Sequence, residues 1–327
     1  MSLERQSNTE DKQVFSKELN SESQSLSGVS VIIPAYNYSQ YLPFAIESAI
    51  SQTYSPIEII VVDDGSTDDT KRVVAQYGDK VRYIYQKNSG LSAARNTGIQ
   101  AASMPFIAFL DADDVWDPEF LKFGMNTFSL LSDDYAIVAC YPKFIDQDGN
   151  PLPVNPSEKR YYGDIFAGDI LLMTRFPPSA VIAKKTAFDR CGFFDTTLKS
   201  SEDRDMWLRI ASKFRIYLNQ DALIMIRRHS SNMSSNPKRM KVNMAKVIKK
   251  SWENHIIPHY HFWFWLKALS IHRYQVAIIY IGINKRLNAI IELIISLLLY
   301  PFPVKSRNIN SSVSFIRLRS LARAIFK

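Results

Sequence analysis

Cysteine is scarce in the 327-residue sequence, and its scarcity excludes several kinds of site. The two cysteines, Cys140 and Cys191, form neither a metal-binding spacing nor a framework of disulfides. Each stands beside apolar residues, so we expect both to be packed free thiols. Free thiols are typical of a reducing compartment, which favours a cytoplasmic protein.

Long apolar runs are absent as well. No stretch reaches the about 20 apolar residues that a membrane-spanning helix needs. The chain also does not start with a basic segment and an apolar core, so we predict no secretory signal peptide. The hydrophobic fraction of 46% is ordinary for a globular protein, which argues against wholesale disorder and against a polytopic membrane protein.

A glycine-rich phosphate loop is missing where two enzyme classes would need one. The segment after the first predicted strand reads Pro34-Ala35-Tyr36-Asn37, without the G-x-G-x-x-G pattern of a dinucleotide site. This disfavours a dehydrogenase. It also weakens, without excluding, the alternative of a sugar nucleotidyltransferase.

Acidic residues are nearly absent from the last part of the chain. From residue 237 onward, sixteen Lys and Arg stand against only Glu253 and Glu292, so this part has a formal charge of +14. The whole chain has +8, which leaves −6 for the remainder. A basic region on an acidic body predicts contact with an anionic surface, and we favour anionic lipid over nucleic acid.

The sequence divides into three parts. Residues 1–27 are polar and without periodicity, so we predict a disordered arm. Residues 28–236 alternate apolar strands with helices: strands are predicted over 29–34, 57–62, 81–85 and 105–110, and helices over 41–51, 68–77 and 92–101. This alternation predicts a Rossmann-like α/β fold with a doubly wound, mostly parallel sheet. Residues 237–327 predict a basic, aromatic, helical extension.

Acidic and polar residues follow three of the predicted strands, where a parallel sheet binds its ligands. The most acidic of these segments is Asp111-Ala112-Asp113-Asp114. A turn or helix cap is one reading of it. Three close carboxylates repel one another unless a cation offsets their charge, and Asp111 and Asp113 are spaced to address one ion. Oxygen ligands alone favour Mg²⁺ or Mn²⁺, completed by substrate phosphates.

Two further acidic segments have both a structural and a functional reading. Asp63 and Asp64 begin a turn in which Ser66 or Thr67 would cap a helix, or their carboxylates would bind a base or a ribose. The segment 201–205 opens another helix, where acids suit the helix dipole. The functional alternative makes one of its acids a general base toward an acceptor hydroxyl.

Basic residues at two places are candidates for phosphate binding. Arg95 lies in a helix that follows a loop with Gly90, and it would either pair with phosphate or lie on a solvent face. Arg228 and His229 would bind phosphate or metal, although a lone histidine is more often structural.

Together these segments resemble the family 2 inverting glycosyltransferases, of bacterial polysaccharide or glycoconjugate type, which have the GT-A fold. The resemblance covers about residues 29–235 in the right order. It is carried by residues 29–37 (VSVIIPAYN), 61–68 (VVDDGSTD), 90–96 (GLSAARN), 109–114 (FLDADD), 192–195 (GFFD) and 202–209 (EDRDMWLR).

The resemblance implies a role for each matching residue. Pro34, Tyr36, Asn37, Asp63 and Asp64 would hold the nucleobase and ribose, with Arg95 near the diphosphate. Asp111, Ala112 and Asp113 correspond to the Asp-x-Asp motif, in which Asp113 is the direct metal ligand and Asp111 assists. Asp203 corresponds to the general base, with Glu202 as second choice. His229, in a segment like the family's closing loop, would touch the diphosphate or the metal.

The resemblance implies transfer of a sugar from a nucleotide diphosphate sugar, with UDP preferred, to an acceptor hydroxyl. The acceptor would be a sugar or a lipid-linked molecule in cell-surface polysaccharide or glycoconjugate synthesis. Mn²⁺ or Mg²⁺ would be the cofactor. The alternatives are a sugar nucleotidyltransferase and a non-catalytic protein that binds a sugar nucleotide.

The basic region carries aromatic residues and two apolar runs, 276–283 and 289–300. Neither run is long enough to cross a bilayer, and Glu292 interrupts the second. We predict helices that lie on an anionic membrane, at the inner face of the plasma membrane. One alternative is a helical subdomain that packs on residues 28–236 or forms a homodimer, and another is a re-entrant or hairpin insertion into the membrane.

Overall fold

A computed structural model describes residues 27–153, 160–174, 176–229, 235–258, 261–304 and 316–326. The arm predicted for residues 1–27 lies outside these ranges except for Ser27, as do residues 230–234 of the predicted closing loop. The strands are β1 (Val29–Ala35), β2 (Ile57–Asp63), β3 (Arg82–Tyr85), β4 (Phe106–Phe109), β5 (Val115–Trp116), β6 (Tyr135–Ala139), β7 (Pro142–Ile145), β8 (Gly163–Ile165), β9 (Val181–Lys184), β10 (Arg215–Leu218) and β11 (Ile224–Arg227). The helices are α1 (Leu42–Ile50), α2 (Thr70–Ala75), α3 (Leu91–Ala101), α4 (Phe120–Leu130), α5 (Ala167–Leu172), α6 (Lys185–Cys191), α7 (Glu202–Ala211), α8 (Pro237–Glu253), α9 (Phe262–Gly282), α10 (Arg286–Leu299) and α11 (Ile316–Phe326).

The predicted elements between residues 29 and 110 are confirmed, with ends that differ by at most two residues. The four strands among them are β1 to β4, which lie side by side and parallel in an eight-stranded sheet. The order of that sheet is β3-β2-β1-β4-β9-β6-β10-β8. β1 lies between β2 and β4 and is buried along its whole length, which explains its β-branched composition. β9 and β8 run antiparallel to their neighbours, so the sheet is mostly parallel, as predicted.

Helices cover the sheet, and one of them depends on a glycine. A Cβ added to Gly98 of α3 would lie 2.3 Å from Ile32 Cγ2 of β1. Glycine at this position therefore lets α3 pack closely against the central strand. Because α3 also begins at the loop that follows β3, this close packing fixes where the first turn of α3 and its Arg95 lie relative to the sheet.

A three-stranded sheet, in the order β5-β11-β7, lies beside the end of β4. β5 begins directly after the 111–114 turn, and β11 pairs with it through Met225↔Val115 and Ile224↔Trp116. This pairing carries residues 227–229 to the acidic turn, although more than 110 residues of chain separate the two segments.

The helical C-terminal extension is confirmed for the described residues. Asn236 caps the N-terminus of α8, because its Oδ1 accepts a hydrogen bond from the Arg239 N–H at 3.0 Å. Val247 of α8 and Trp265 of α9 are buried in the same apolar core as the sheet. The division of the chain at residues 236 and 237 stays a prediction. Within the described ranges, no helix is both long enough and apolar enough to cross a membrane.

Glu292, the charge that interrupts the second apolar run of the sequence, points into the protein, and only 3% of the residue is exposed. Its carboxylate accepts hydrogen bonds from Lys241 Nζ at 2.5 Å and from an Arg273 guanidinium nitrogen at 3.0 Å. Two cations from α8 and α9 thus compensate the burial of this charge.

Candidate active site

The carboxyl ends of β1, β2 and β4 meet at one edge of the large sheet. β1 runs parallel to both β2 and β4 and in contact with them, so the segments that follow the three strands are neighbours. The structure therefore brings together the polar residues at 36–37, 63–64 and 111–114, which the sequence predicts to form one site.

Asn37 fastens the end of β1 to the loop after β2. Its φ of 54° is a left-handed conformation that asparagine tolerates better than most residues. Its N–H donates to Ser66 Oγ at 3.0 Å, and its Oδ1 accepts from the Thr67 N–H at 2.8 Å. The neighbouring Tyr36 is 46% exposed, whereas Pro34 is buried in β1. Tyr36 thus offers an aromatic ring at the predicted nucleotide site, and the nucleotide contacts of all three residues stay predictions.

Asp63 and Asp64 are buried, and they hold the surrounding loops. Asp63 accepts a hydrogen bond from Tyr83 Oη at 2.6 Å. Burial and the adjacent carboxylate raise the pKa of Tyr83, so its hydroxyl remains a donor. Asp64 accepts from the N–H groups of Ser89 and Gly90 at 2.9 and 2.8 Å. Both acids therefore shape the site, and their predicted contacts with base and ribose stay predictions.

In the 111–114 turn, Asp114 serves the fold rather than the surface of the site. It is 3% exposed and accepts hydrogen bonds from Ser179 Oγ at 2.5 Å and from the Arg227 N–H at 3.1 Å. Burial, together with the charges of the other two acids in the turn, raises the pKa of Asp114 well above its ordinary value. Asp114 thereby fastens the turn to β11, and Ala112 beside it is also buried.

Asp113 contacts His229, the histidine predicted to assist at the metal or diphosphate. His229 Nε2 lies 2.9 Å from Asp113 Oδ2. The imidazole also packs against two aromatic rings, stacking on Tyr41 at 5.3 Å and lying 5.7 Å from Tyr38. Burial and the charge of Asp111 raise the pKa of Asp113. The sequence prediction that residues 113 and 229 share a site therefore has a geometric counterpart, while their ligand roles stay predictions.

The residues at this turn fit a divalent cation in charge and in type of ligand. Asp113 is a partly buried carboxylate that is destabilised by a neighbouring carboxylate, and a cation would relieve this repulsion. Carboxylate and water oxygens suit both Mn²⁺ and Mg²⁺. Among the described residues, no group of three or more His, Cys, Asp or Glu side chains is arranged to hold a metal. Substrate oxygens and water would have to complete the coordination.

Arg95 is completely buried and bridges two acids from distant parts of the chain. One terminal nitrogen donates to Asp111 Oδ1 at 2.6 Å, and the other donates to Glu202 Oε1 at 2.7 Å. Its guanidinium also lies over the Phe194 ring, 5.5 Å from the centroid. The charges of these acids raise the pKa of Arg95 despite its burial. Arg95 thus ties the acidic turn to the start of α7, and its predicted place near the diphosphate stays a prediction.

Glu202 and Asp203 are adjacent but differ in their surroundings. Glu202 is 6% exposed and is paired with Arg95, and burial raises the pKa of Glu202. Asp203 is half-buried, and it makes no hydrogen bond or ion pair with any residue that the structure describes. Its negative charge nevertheless acts on Arg95. Asp203 is therefore the acid of this pair whose oxygens remain available to a substrate.

Arg227 and Tyr41 also contact the residues of the site, although no role was predicted for either of them from the sequence. Arg227 Nε donates to the Asp113 carbonyl at 3.0 Å, and its guanidinium lies over the Tyr41 ring, 5.0 Å from the centroid. Tyr41 therefore contacts both Arg227 and His229. The run of basic residues at 227–229 was the available signal, but only the pairing of β11 with β5 shows where that run lies.

Comparisons with known proteins agree with this architecture. Residues 30–192 match the family model described as Glycosyl transferase family 2. The uncharacterized glycosyltransferase RP339 of Rickettsia prowazekii is 34% identical over 209 residues, which are 63% of this chain and 66% of that protein. The chain thus spans slightly less than two thirds of the length of this relative.

Two solved structures share the fold. S. aureus TarS 1–349 in complex with UDP-GlcNAc has a TM-score of 0.57 and 19% identity, over 89% of this chain and 92% of that one. The mannosyltransferase PcManGT from Pyrobaculum calidifontis, in complex with GDP-Man and Mn²⁺, has a TM-score of 0.58 and 15% identity, over 97% of this chain and 93% of that one. The two neighbours and the sheet order give the chain the GT-A fold. With residues 30–192 matching the family model, the chain belongs to glycosyl transferase family 2.

Proposed function

We propose that the protein is an inverting glycosyltransferase that moves a sugar from a nucleotide diphosphate sugar to an acceptor hydroxyl. One observation carries the proposal: Asp203, in the first turn of α7, has a carboxylate that no described residue pairs with, and the Glu202–Arg95–Asp111 bridge fixes this turn beside the acidic turn. An available base held next to a cluster of acids is what this reaction requires.

Asp203 would act as the general base. Its carboxylate accepts the proton of the acceptor hydroxyl while that oxygen attacks the anomeric carbon from the face opposite the diphosphate. The new bond joins the acceptor oxygen to the anomeric carbon, and the bond from that carbon to the diphosphate oxygen breaks with its electron pair. The products are a glycoside of inverted configuration and a nucleoside diphosphate.

Asp113 and His229, assisted by Asp111, would hold Mn²⁺ or Mg²⁺. When bound, such an ion supplies positive charge that stabilises the departing diphosphate. The contact between Asp113 and His229 and the repulsion from Asp111 support this assignment. Its support among relatives of the fold is the Mn²⁺ in the complex of PcManGT with GDP-Man.

We propose UDP as the nucleotide of the donor. TarS was solved in complex with UDP-GlcNAc and with UDP, and the family resemblance points the same way. Tyr36, Asn37, Asp63 and Asp64 would contact the nucleotide, as the family resemblance implies. The acceptor would be a sugar or a lipid-linked molecule in polysaccharide or glycoconjugate synthesis, used in the cytoplasm at the inner face of the plasma membrane.

A donor screen tests the proposal. Purified protein is incubated with UDP-, GDP- and dTDP-sugars and Mn²⁺ or Mg²⁺, with and without a chelator, and release of nucleoside diphosphate is measured. We expect release from a UDP-sugar that the chelator prevents, and calorimetric binding of the same donor by the Asp203→Asn variant without release.

Two outcomes would contradict the proposal. Donor binding without release by the wild-type chain, across a panel of acceptor sugars and lipid-linked acceptors, would favour the non-catalytic sugar-nucleotide-binding alternative. Formation of pyrophosphate from a nucleoside triphosphate and a sugar phosphate would favour the nucleotidyltransferase.

A further inference from the structure

Helix α10 carries its apolar residues on the outside of the molecule. Leu287, Ile291, Ile294 and Leu298 are 72%, 47%, 44% and 78% exposed. Their spacing of three and four residues places them on one face of the helix. Large apolar side chains in such a continuous row are typical of a surface that meets another molecule.

The opposite face of α10 is buried, and it carries two polar residues beside the apolar Leu293. Glu292 and Ser296 are 3% and 0% exposed. Ser296 Oγ donates to the Ser270 carbonyl at 2.7 Å, and Glu292 is paired with Lys241 and Arg273. A rotation of the helix that buried Leu287 and Leu298 would break these hydrogen bonds and ion pairs, and leaving their buried polar groups unpaired would lower the free energy of unfolding. The buried polar contacts therefore hold the apolar row outward.

Helix α11 repeats the pattern. Arg317 is 2% exposed and donates to Ser270 Oγ at 2.6 Å and to the Phe302 carbonyl at 2.6 Å. Leu318 and Ile325 of the same helix are 51% and 52% exposed. Each of the two successive helices thus buries a charged residue and exposes large apolar ones, which an ordinary water-exposed helix does not do.

Apolar side chains extend this surface at both ends of the α9–α10 pair. At the turn between the helices, Ile281 and Ile283 are exposed. At the other end, Trp263 packs against Phe302 with a centroid distance of 6.2 Å, and both rings are exposed. We call these residues, with the apolar rows of α10 and α11, the outer apolar surface; its members are Phe262, Trp263, Ile278, Ile281, Ile283, Leu287, Ile291, Ile294, Leu298, Phe302, Leu318 and Ile325.

The charges beside the outer apolar surface are positive. Lys285 and Arg286 in the turn, and Arg319 and Arg323 on α11, are exposed. The only acid in the sequence after Glu253 is Glu292, and it is buried. Apolar residues with aromatic rings and a rim of cations fit the interface of an anionic bilayer, where rings lie at the headgroups.

We infer that the outer apolar surface docks the protein on an anionic phospholipid bilayer, without crossing it. A second copy of the chain fits less well, because a symmetric contact would bring the cationic rims of both copies together without acids to pair them. The inference does not depend on the transferase activity.

Vesicle sedimentation tests the inference without any sugar substrate. The full chain is mixed with vesicles of phosphatidylcholine alone and with vesicles that also contain phosphatidylglycerol. We expect binding to the anionic vesicles that weakens as salt is raised. The double variant Leu287→Gln/Leu298→Gln should bind at least tenfold more weakly, since each leucine contributes about tenfold by burial. Arg319→Gln/Arg323→Gln should lose about fivefold per arginine, on anionic vesicles only.

A matched control is Leu130→Gln, at the end of α4, because Leu130 is 58% exposed but lies outside the outer apolar surface. It should bind as the wild type does. Equal recovery of wild type with vesicles and without them would overturn the inference, whatever the variants do. So would a stable wild-type dimer in sedimentation velocity that Leu287→Gln/Leu298→Gln dissociates, with no binding to vesicles.

Discussion

Residues 28–236 and the C-terminal helices differ in where they place their large apolar side chains. In residues 28–236, β1 is buried along its length, and the polar groups lie at the edge of the sheet. In α10, the acid Glu292 is buried and Leu298 is 78% exposed. Since both regions contribute residues to one apolar core, the contrast is not between a folded and an unfolded part. The contrast fits the two proposals, in which the polar edge of the sheet binds the substrates and the outer apolar surface docks on a bilayer.

Buried charges do similar structural work in the two regions. Arg95 ties Asp111 to Glu202 at the site, and Glu292 ties Lys241 to Arg273 among the C-terminal helices. In each place a charge at the centre of the network fixes the elements that carry the groups with a proposed function. At the site the group is Asp203, which is half-buried and pairs with no described residue, and in the helices it is the outer apolar surface.

The largest effect is expected for Asp203→Asn. Loss of a general base typically lowers turnover by about 10²- to 10⁴-fold. Because Asp203 has no hydrogen-bond partner among the described residues, the free energy of unfolding should change by less than about 0.5 kcal/mol. Product formation and urea unfolding of the same preparation measure both quantities. Near-normal turnover would remove Asp203 as the base.

The position of Asp203 in the first turn of a helix can be predicted from the sequence alone. The β-branched runs of β1 and β2, the acids after β4 and the acids that open α7 are local patterns, and the structure places them as predicted. The environment of Glu202 is not a local pattern, because its partner Arg95 lies 107 residues away. The environment of Glu292 is not a local pattern either. The sequence shows a charge within an apolar run, but it does not show that Lys241, 51 residues away, pairs with this charge.

The site includes residues that only the tertiary structure reveals. The pairing of β11 with β5 brings Arg227 to Asp113, and the packing of Tyr41 follows from that. Long-range pairing of this kind depends on burial and register across the whole fold, which periodicity in one segment does not encode.

The next largest effect is expected for Leu293→Ala, which probes the inward face of α10. Leu293 is fully buried, so its truncation leaves a cavity between the C-terminal helices. Such a change typically lowers the free energy of unfolding by about 2–5 kcal/mol. Chemical denaturation followed by far-UV circular dichroism measures it. A loss below about 0.5 kcal/mol, the range of surface substitutions, would mean that this face of α10 does not pack as the structure has it.

A somewhat smaller effect is expected for Glu202→Gln, which probes the bridge at the site. The amide keeps the shape of the side chain but removes the charge that Arg95 contacts, while Asp111 still pairs with Arg95. Loss of one charged hydrogen bond should lower the free energy of unfolding by about 1.5–3 kcal/mol. Turnover should fall less than in Asp203→Asn. Unchanged stability combined with abolished turnover would instead make Glu202 the base.

The smallest effect is expected for Leu298→Ala, the counterpart of Leu293→Ala on the same helix. Leu298 is 78% exposed, so the truncation should change the free energy of unfolding by less than about 0.5 kcal/mol. The two variants have the same chemistry and differ only in the face of α10 that they alter. Equal losses in denaturation would mean that α10 has no distinct outward face, and the outer apolar surface would then lose its basis. A loss in Leu293→Ala alone would show that only the inward face of α10 contributes to folding, which is the condition that the outer apolar surface needs in order to be free for contact with a bilayer.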